Sequence, residues 1–459
     1  MYSLDDTIAA VSTPVGEGGI GIVRLSGPQA VAIVSELFVG GPVGRPTRTF
    51  FESHRLYYGH IVDPTIASTV DEVFVSTMRA PRSYTREDVV EINCHGGPAP
   101  LQKVLGLCLR YGARQAEPGE FTLRAFVNGR LDLSQAEAVL DIVQAKTEAS
   151  LRAAVGQLGG HLSRAVRRVR QIVLEMLAYL TATIDFTEQE IPLRDIEPDL
   201  KTAQKMLQEL LADADRGMIY RHGVRAVIVG RPNAGKSSIL NALLRANRAL
   251  VTPVPGTTRD TLEETVNLQG VPVVLVDTAG LNDQAQDLVE RLGIERSRLA
   301  LDRADLVLLV IDGSQPFAEV DWAIIEGLDR RPVLVVINKV DLPCVADMGD
   351  LLPSAPRVQL SALTGEGLHD LEDAMLNMIL GGEVVASDVP LVSNLRHKEA
   401  IERALSHLGT AQRTYERQLP ADFVAIDLTA TCEALGEITG ETVAADLLET
   451  IFSHFCIGK

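Results

Sequence analysis

The spacing of apolar positions changes character three times along the chain. In residues 1–120, short runs with strand character (Ile20–Leu25, Val73–Thr77, Val89–Asn93) are divided by Gly/Pro turns such as Gly16-Glu-Gly-Gly and Gly96-Gly-Pro. Leu101–Leu109 reads as a helix, so 1–120 is expected to be an α+β domain. Over 121–217 the pattern turns helical. Ser134-Gln-Ala-Glu137 has the spacing of a capping box. Val166, Val169, Ile172, Val173, Met176, Leu177 and Leu180 then recur every three or four residues as one apolar stripe. Asp185–Pro192 breaks that stripe, and another helix is expected over 198–213. From 218 to 382, strand and helix patterns alternate, which predicts a parallel sheet with helices on both faces. The helical pattern returns over 383–459, through Ile401, Leu405 and Leu408, then Val443, Leu447, Leu448, Ile451, Phe452 and Phe455. Neither helical flank looks self-sufficient. They are expected to pack together, with the α/β domain inserted between them, in a multidomain α+β and α/β chain.

Composition fits this picture. The chain has 459 residues, too many for one core, and is 46% hydrophobic and 23% charged, as in globular proteins. The longest apolar runs, Leu306–Ile311 and Val333–Ile337, are too short to span a bilayer and read as buried parallel strands. The first residues carry neither a basic lead nor an apolar core, so no secretory leader is expected. Cysteines 94, 108, 344, 432 and 456 are scattered with no C-x-x-C, which points to a reducing cytoplasm rather than a disulfide or zinc framework. A net charge of −18 argues against broad, unspecific phosphate binding. Arg164, Arg167, Arg168 and Arg170 nonetheless cluster on one segment, as a solvated helix face or as a surface for tRNA or a partner.

The central region carries phosphate chemistry. Gly230-Arg-Pro-Asn233-Ala234-Gly235-Lys236-Ser237 fits G-x-x-x-x-G-K-[ST], with Ser238 following, between the apolar strand Val224–Val229 and a helical run. Such a loop turns backbone N–H groups toward phosphates, Lys236 reaches the β- and γ-phosphates, and the Ser237 hydroxyl ligates Mg²⁺. Thr252-Pro253-Val254-Pro255-Gly256-Thr257-Thr258 is a turn-rich loop suited to a switch that senses the γ-phosphate. Asp277-Thr278-Ala279-Gly280 follows a strand, where the carboxylate holds the Mg²⁺ shell and Gly280 admits a phosphate. Asn338-Lys339-Val-Asp341 follows another strand, and its Asp341 can accept two N–H bonds from guanine that adenine cannot offer. Ser361-Ala362-Leu363 supplies backbone N–H groups for the base carbonyl. GTP is therefore the expected ligand. Leu281 stands where many GTPases carry a water-orienting glutamine, so water must be handled from elsewhere or turnover must fail.

Beyond these motifs the chain resembles, over essentially its whole length, the MnmE (TrmE) family of tRNA-modification GTPases. The resemblance rests on Asp6-Thr-Ile-Ala-Ala, Gly18–Gly27, Ser83-Tyr-Thr-Arg-Glu-Asp, His95-Gly-Gly-Pro, Pro118–Leu133 and Phe455-Cys-Ile-Gly-Lys459, together with the motifs above. It implies an N-terminal domain that binds a 5-formyl- or 5,10-methylene-tetrahydrofolate donor and mediates homodimerisation, and a helical domain interrupted by a Ras-like GTPase domain. It also implies a heterotetramer with the FAD-containing MnmG (GidA). That complex installs a carboxymethylaminomethyl or aminomethyl group at carbon 5 of the wobble uridine of certain tRNAs, in the cytoplasm and without a membrane.

Position by position, the resemblance makes Asn233, Thr252, Val254 and Thr257 ligands of K⁺. Ser237 and Thr258 become ligands of Mg²⁺, and Glu290 the catalytic residue that orients water in place of the missing glutamine. A K⁺ beside the phosphates would act as an arginine finger does in other GTPases, worth about 10³–10⁵ in rate. Arg24, Glu87, Arg130 and Lys459 align with the folate contacts, Arg130 where some members carry Lys. Asn282-Asp283 departs from the family's usual Arg-Glu pair. The rival reading is a ribosome-assembly or RNA-binding switch GTPase, which would call for a basic appendage that the acidic balance disfavours.

Overall fold

The structure is a computed structural model. It describes residues 5–14, 16–41, 51–186, 192, 194–247, 263–277, 301–328, 331–346, 352–381 and 392–459. The chain forms two compact units, Met1–Leu140 with Leu158–Ile191 and Gln418–Lys459, and Asp141–Gln157 with Pro192–Arg417.

The first unit is built on seven strands: β1 (Ile8–Val11), β2 (Gly18–Ser26), β3 (Phe38–Gly40), β4 (Arg55–Asp63), β5 (Ser68–Met78), β6 (Val89–Gly96) and β7 (Arg114–Gln115). Their order is β3-β4-β5-β6-β2-β1-β7, antiparallel except where β7 joins β1 in parallel. Period-2 alternation turns Val23, Leu25, Val73, Val75 and Ile92 to one face. There they pack with Val34 and Leu37 of the helix Ala30–Leu37 and with Val104, Leu107 and Cys108 of the helix Pro98–Arg110.

The helix Leu133–Gln144 follows. Its capping box lies two residues earlier than the sequence pattern indicates. Asp132 Oδ1 accepts from Gln135 N at 3.0 Å and Gln135 Oε1 accepts from Asp132 N at 3.0 Å. Ser134 and Glu137, the expected box, are buried within the helix, and the Ser134 hydroxyl meets Ser163 Oγ at 2.8 Å. Asp and Gln close the box as well as Ser and Glu do, so the motif occurs twice in overlapping frames and burial decides between them.

The predicted stripe appears as the helix His161–Asp185, which buries Val166, Val169, Val173, Met176 and Leu180 while Ile172 and Leu177 are half-buried. It packs against the helix Ala421–Thr439 from the far end of the chain. Of the arginine cluster, Arg167 pairs with Asp132 at 2.9 Å, Arg170 pairs with Glu441, and Arg164 donates to the Gly159 carbonyl at 2.7 Å. Arg168 is exposed.

The second unit holds β8 (Val224–Val229), β9 (Glu263–Leu268), β10 (Val271–Asp277), β11 (Leu306–Asp312), β12 (Val333–Asn338) and β13 (Arg357–Leu360), in the order β13-β12-β11-β8-β10-β9. Five strands run parallel. The expectation of a wholly parallel sheet needs one correction, because β9 pairs antiparallel with β10 in a hairpin, Val271 opposite Leu268. A tight turn through Gln269-Gly270 suffices for that connection, whereas a parallel pair needs a long crossover. Alternate residues face opposite layers. Ala226, Ile228, Leu308, Val310 and Val336 pack under the helices Lys236–Asn247 and Leu368–Leu380, and Val227, Val229, Leu309 and Ile337 face Ile324 and Leu328. The helix Glu197–Ala212, close to the expected 198–213, packs on the helix Leu395–Glu416.

Candidate guanine-nucleotide and folate sites

The nucleotide motifs meet at the carboxyl ends of β8, β10, β11 and β12, the end where parallel sheets bind ligands. Between β8 and the helix Lys236–Asn247 the chain passes very close to Asn338. Gly235 has φ +98°, and a Cβ there would stand 2.1 Å from Asn338 Nδ2. Asn233 also takes a left-handed conformation, φ 63°, which Asn tolerates better than most residues. Lys236 is buried, and its Nζ donates to the carbonyls of Gly230 and Arg231 at 2.8 and 2.9 Å. The amine is thus clamped across the loop that would wrap the phosphates. Ser237 Oγ donates to Asp277 Oδ2 at 2.8 Å, joining two oxygen groups of the kind a hard divalent cation takes.

Asn338 ties the parts together. Its Nδ2 donates to the Ala234 carbonyl at 2.9 Å, and its Oδ1 accepts from Ala362 N at 3.0 Å. One buried side chain therefore links the Gly230–Ser237 loop to the Ser361–Leu363 turn. Ser361, also buried, closes that turn. Its N donates to the Glu366 carbonyl at 2.9 Å and its Oγ accepts from Thr364 N at 3.2 Å. Asp341, Leu363 and Ser238 are exposed. Lys339 donates to Asp312 Oδ2 at 2.7 Å. Burial would raise the Asp312 pKa, but the Lys339 ammonium and the Ser314 donors hold it below its ordinary value. Asp312 and the Arg231–Asp321 pair at 3.3 Å were absent from the sequence expectations, since an Asp ending a strand and an Arg in a loop carry no motif of their own.

Thr252, Pro253, Val254, Pro255, Gly256, Thr257, Thr258, Thr278, Ala279, Gly280, Leu281 and Glu290 lie outside the described residues. Of the expected K⁺ ligands only Asn233 is described, and of the expected Mg²⁺ ligands only Ser237.

A second polar centre lies in the first unit. The Arg24 guanidinium stands 5.8 Å from the Tyr84 ring centroid and 5.7 Å from that of Phe121. It pairs with Glu91 at 2.8 Å and donates to the Gly458 carbonyl at 3.3 Å. Arg130 lies 4.8 Å from the same Tyr84 ring and lines an open groove of about 630 Å³ with Phe126, Gln135, Arg167 and Glu441. Burial raises the Tyr84 pKa, so the phenol stays protonated at neutral pH. Lys459 ends a tail seated on β1. Gly458 has φ +94°, and a Cβ there would come within 2.4 Å of the Val11 carbonyl. Among the four expected folate residues, Arg24 and Arg130 share one aromatic ring, and Lys459 follows the residue that Arg24 holds.

Glu87, the fourth, sits on a buried charge cluster. It accepts from Ser26 Oγ at 2.6 Å and from Arg124 Nη1, which lies 3.2 Å from each of its oxygens. Arg124 is completely buried and also binds Asp6 at 2.5 Å and Glu120 at 3.0 Å, while Arg114 binds the same two acids at 2.7 and 2.6 Å. Burial would raise the pKa of Asp6 and of Glu120, but the arginine hydrogen bonds outweigh it and hold both below their ordinary values. Cys94 and Cys108 are buried thiols pushed up to about 12, which makes them poor nucleophiles. Cys456 is exposed.

A mainly parallel sheet with the G-x-x-x-x-G-K-[ST] loop after β8, Asp277 at the end of β10 and Asn338 at the end of β12 defines a P-loop GTP hydrolase, here joined to a separate α+β unit. Residues 7–130 match the family model described as "GTP-binding protein TrmE N-terminus", and residues 133–456 match "MnmE helical domain". The chain is 52% identical over 459 residues to the tRNA modification GTPase MnmE of Chloroflexus aurantiacus, covering 99% of this chain and 100% of the relative. It is 51% identical over 474 residues to that of Roseiflexus castenholzii, covering 100% of each. To that of Desulforamulus reducens it is 46% identical over 467 residues, covering 99% of this chain and 100% of the relative. The chain belongs to the MnmE family of tRNA modification GTPases.

Proposed function

We propose that GTP hydrolysis by this chain serves modification of tRNA at carbon 5 of the wobble uridine, toward the carboxymethylaminomethyl or aminomethyl form. A tetrahydrofolate derivative is the one-carbon donor, and the chain acts in the cytoplasm as a homodimer with a flavoprotein of the MnmG (GidA) kind. The observation that carries this reading is the pairing, within one chain, of a P-loop GTPase unit with a second unit in which Arg24 and Arg130 flank the Tyr84 ring and Glu87 presents a partly open side chain. Glu87 offers a carboxylate to donors such as the amino-pyrimidinone edge of a pterin, and Arg24, Arg130 and Lys459 offer cations to a glutamate tail.

Within the GTPase site, Ser237 and Asp277 present oxygens suited to Mg²⁺, with Thr258 as the switch ligand. Asn233, with Thr252, Val254 and Thr257, would hold K⁺, which when bound neutralises charge developing on the phosphates. Glu290 takes the water-orienting role that Leu281 cannot fill. The domains divide as 1–120, 121–217, 218–382 and 383–459.

Mass analysis of wobble uridines from cells with and without the chain tests the assignment. Loss of the modification without the chain is expected, and its persistence refutes the function. GTP turnover in K⁺ against Na⁺ tests the hydrolytic mechanism. Faster turnover in K⁺ and loss of turnover in Glu290→Ala are expected. Equal rates in both salts, with no effect of Glu290→Ala, refute it.

A further inference from the structure

Glu87 is the only member of the buried charge cluster that the folate reading already uses, and the cluster does more than hold the fold. Arg124 and Glu120 are wholly buried, as are Ser26 and Thr85, while the Glu87 side chain keeps 15% of its surface open. The carboxylate is gripped from its inner side. Arg124 Nη1 lies 3.2 Å from both oxygens, and Ser26 Oγ lies 2.6 Å from Oε2. The Ser26 hydroxyl also meets Thr85 Oγ1 at 2.6 Å, and Glu87 N donates to Thr85 Oγ1 at 3.2 Å. A free Glu has three side-chain torsions and rotates readily. Here both oxygens are pinned, and the partly open side chain is held in one orientation.

The charge count points the same way. Asp6, Glu87 and Glu120 share Arg114 and Arg124, three acids against two guanidinium groups. Arg114 binds Asp6 and Glu120, so Asp6 and Glu120 each meet two guanidinium groups while Glu87 meets only that of Arg124.

Resting on the folate reading above, we propose that Arg124 and Ser26 are positioning residues that aim the Glu87 carboxylate at the paired N–H donors of a pterin and so set affinity for the pterin end of the folate. Preorganisation of this kind strengthens binding because the side chain's rotational freedom is lost on folding rather than on binding. The rest of the ligand, whose negative tail meets Arg24, Arg130 or Lys459, is recognised independently of Arg124.

The test uses the full-length chain and two ligands, 5-formyltetrahydrofolate and p-aminobenzoylglutamate, which lacks the pterin. Calorimetry gives the affinity of the first, ligand-observed NMR that of the second, and thermal unfolding checks the fold. Ser26→Ala, which removes the hydrogen bond to the Glu87 carboxylate together with that to Thr85 Oγ1, is expected to weaken the folate about tenfold. Arg124→Lys, which keeps charge but loses the planar fork, is expected to weaken it by about the same factor. Neither is expected to change binding of the fragment. If Glu87→Gln weakens folate binding and Ser26→Ala does not, the positioning role is overturned while the folate site stands. If Glu87→Gln itself has no effect, or the unaltered chain binds no folate, the folate assignment falls and the positioning role with it. If Ser26→Ala weakens both ligands equally, the role is structural and the proposal is wrong. Should Arg124→Lys fail to fold, Ser26→Ala decides the question alone.

Discussion

Replacing Arg124 by Met is the sharpest test of the buried charge cluster as a source of stability. Met fills similar length and leaves no new polar group, so the effect reports the guanidinium's charge and hydrogen bonds together. Arg124 is wholly buried and contacts Asp6 at 2.5 Å, Glu120 at 3.0 Å and Glu87 at 3.2 Å. Without it, Asp6 and Glu120 are left to Arg114, and Glu87 loses its guanidinium. Removing one partner of a buried ion pair costs about 3–5 kcal/mol, because the stranded charge keeps its desolvation penalty. For a cooperative unit of this size that is a fall in Tm of roughly 6–20 °C.

The pH dependence identifies the cause. Asp6 and Glu120 are held below their ordinary values of 3.8 and 4.5. Carboxylates with lowered pKa values contribute stability that is present above the unfolded-state values and lost as pH falls through the folded-state ones. The unaltered chain therefore loses this contribution below about pH 4.5, and progressively so at lower pH. In Arg124→Met, burial pushes the same carboxyls upward with less opposition, so they protonate earlier and the repulsion is relieved. The gap between the two proteins should narrow from neutral pH to about pH 4. Differential scanning calorimetry of the full chain at both pH values measures it. A loss under about 1 kcal/mol at neutral pH, within the range of ordinary substitutions, would refute the reasoning. So would a gap that widens on acidification.

Three further outcomes follow from single contacts. Asn338→Ala removes the bonds to the Ala234 carbonyl and the Ala362 N–H; leaving such groups unsatisfied costs about 1–3 kcal/mol, so GDP affinity should fall roughly 10–100-fold in a fluorescent-nucleotide titration, and an unchanged affinity would count against the link. Gly235→Ala places a Cβ 2.1 Å from Asn338 Nδ2 at a φ of +98°, so the same titration should show nucleotide binding lost while circular dichroism remains that of the folded chain. Gly458→Ala puts a Cβ 2.4 Å from the Val11 carbonyl, so the C-terminal tail should leave β1 and become open to limited carboxypeptidase digestion, and resistance equal to that of the unaltered chain would show that the tail tolerates the change.

Local chemistry made the GTPase half legible. Gly230–Ser237 needs only its neighbours in sequence to make a strand, a loop and a helix, and Leu306–Ile311 and Val333–Ile337 are apolar throughout because both faces of β11 and β12 are buried. The edge strand β9 escaped notice for the opposite reason. Its Glu-Glu-Thr-Val-Asn-Leu buries only Val266 and Leu268, too few positions to mark a period of two, and its direction depends on a turn rather than on its own residues. The capping box at Asp132-Gln135 shows a third limit: two frames satisfied the same spacing rule, and only packing of Ser134 against Ser163 selected one.

The residues proposed for folate divide along the same line. Arg24, Glu87, Arg130 and Lys459 were found one by one from stretches that resemble a family, without any view of what holds them. Glu120 and Arg124 were in plain sight as an i, i+4 pair, the pattern that on most helices marks a solvated face worth a few tenths of a kcal/mol. What turns that pair into a buried centre is distance in sequence. Arg124 reaches Asp6 across 118 residues and Glu87 across 37, and Ser26 reaches Glu87 across 61. No local period encodes such contacts, because each segment is consistent on its own with an exposed charge. The signal that could have raised the question is density: Pro118–Leu133 packs Glu120, Arg124, Arg130 and Asp132 around Phe121, Leu123 and Phe126, more apolar weight than a solvated helix face carries. A charge that sits among that many large apolar neighbours has to be paired when the helix is buried, and the partners then have to come from elsewhere in the chain.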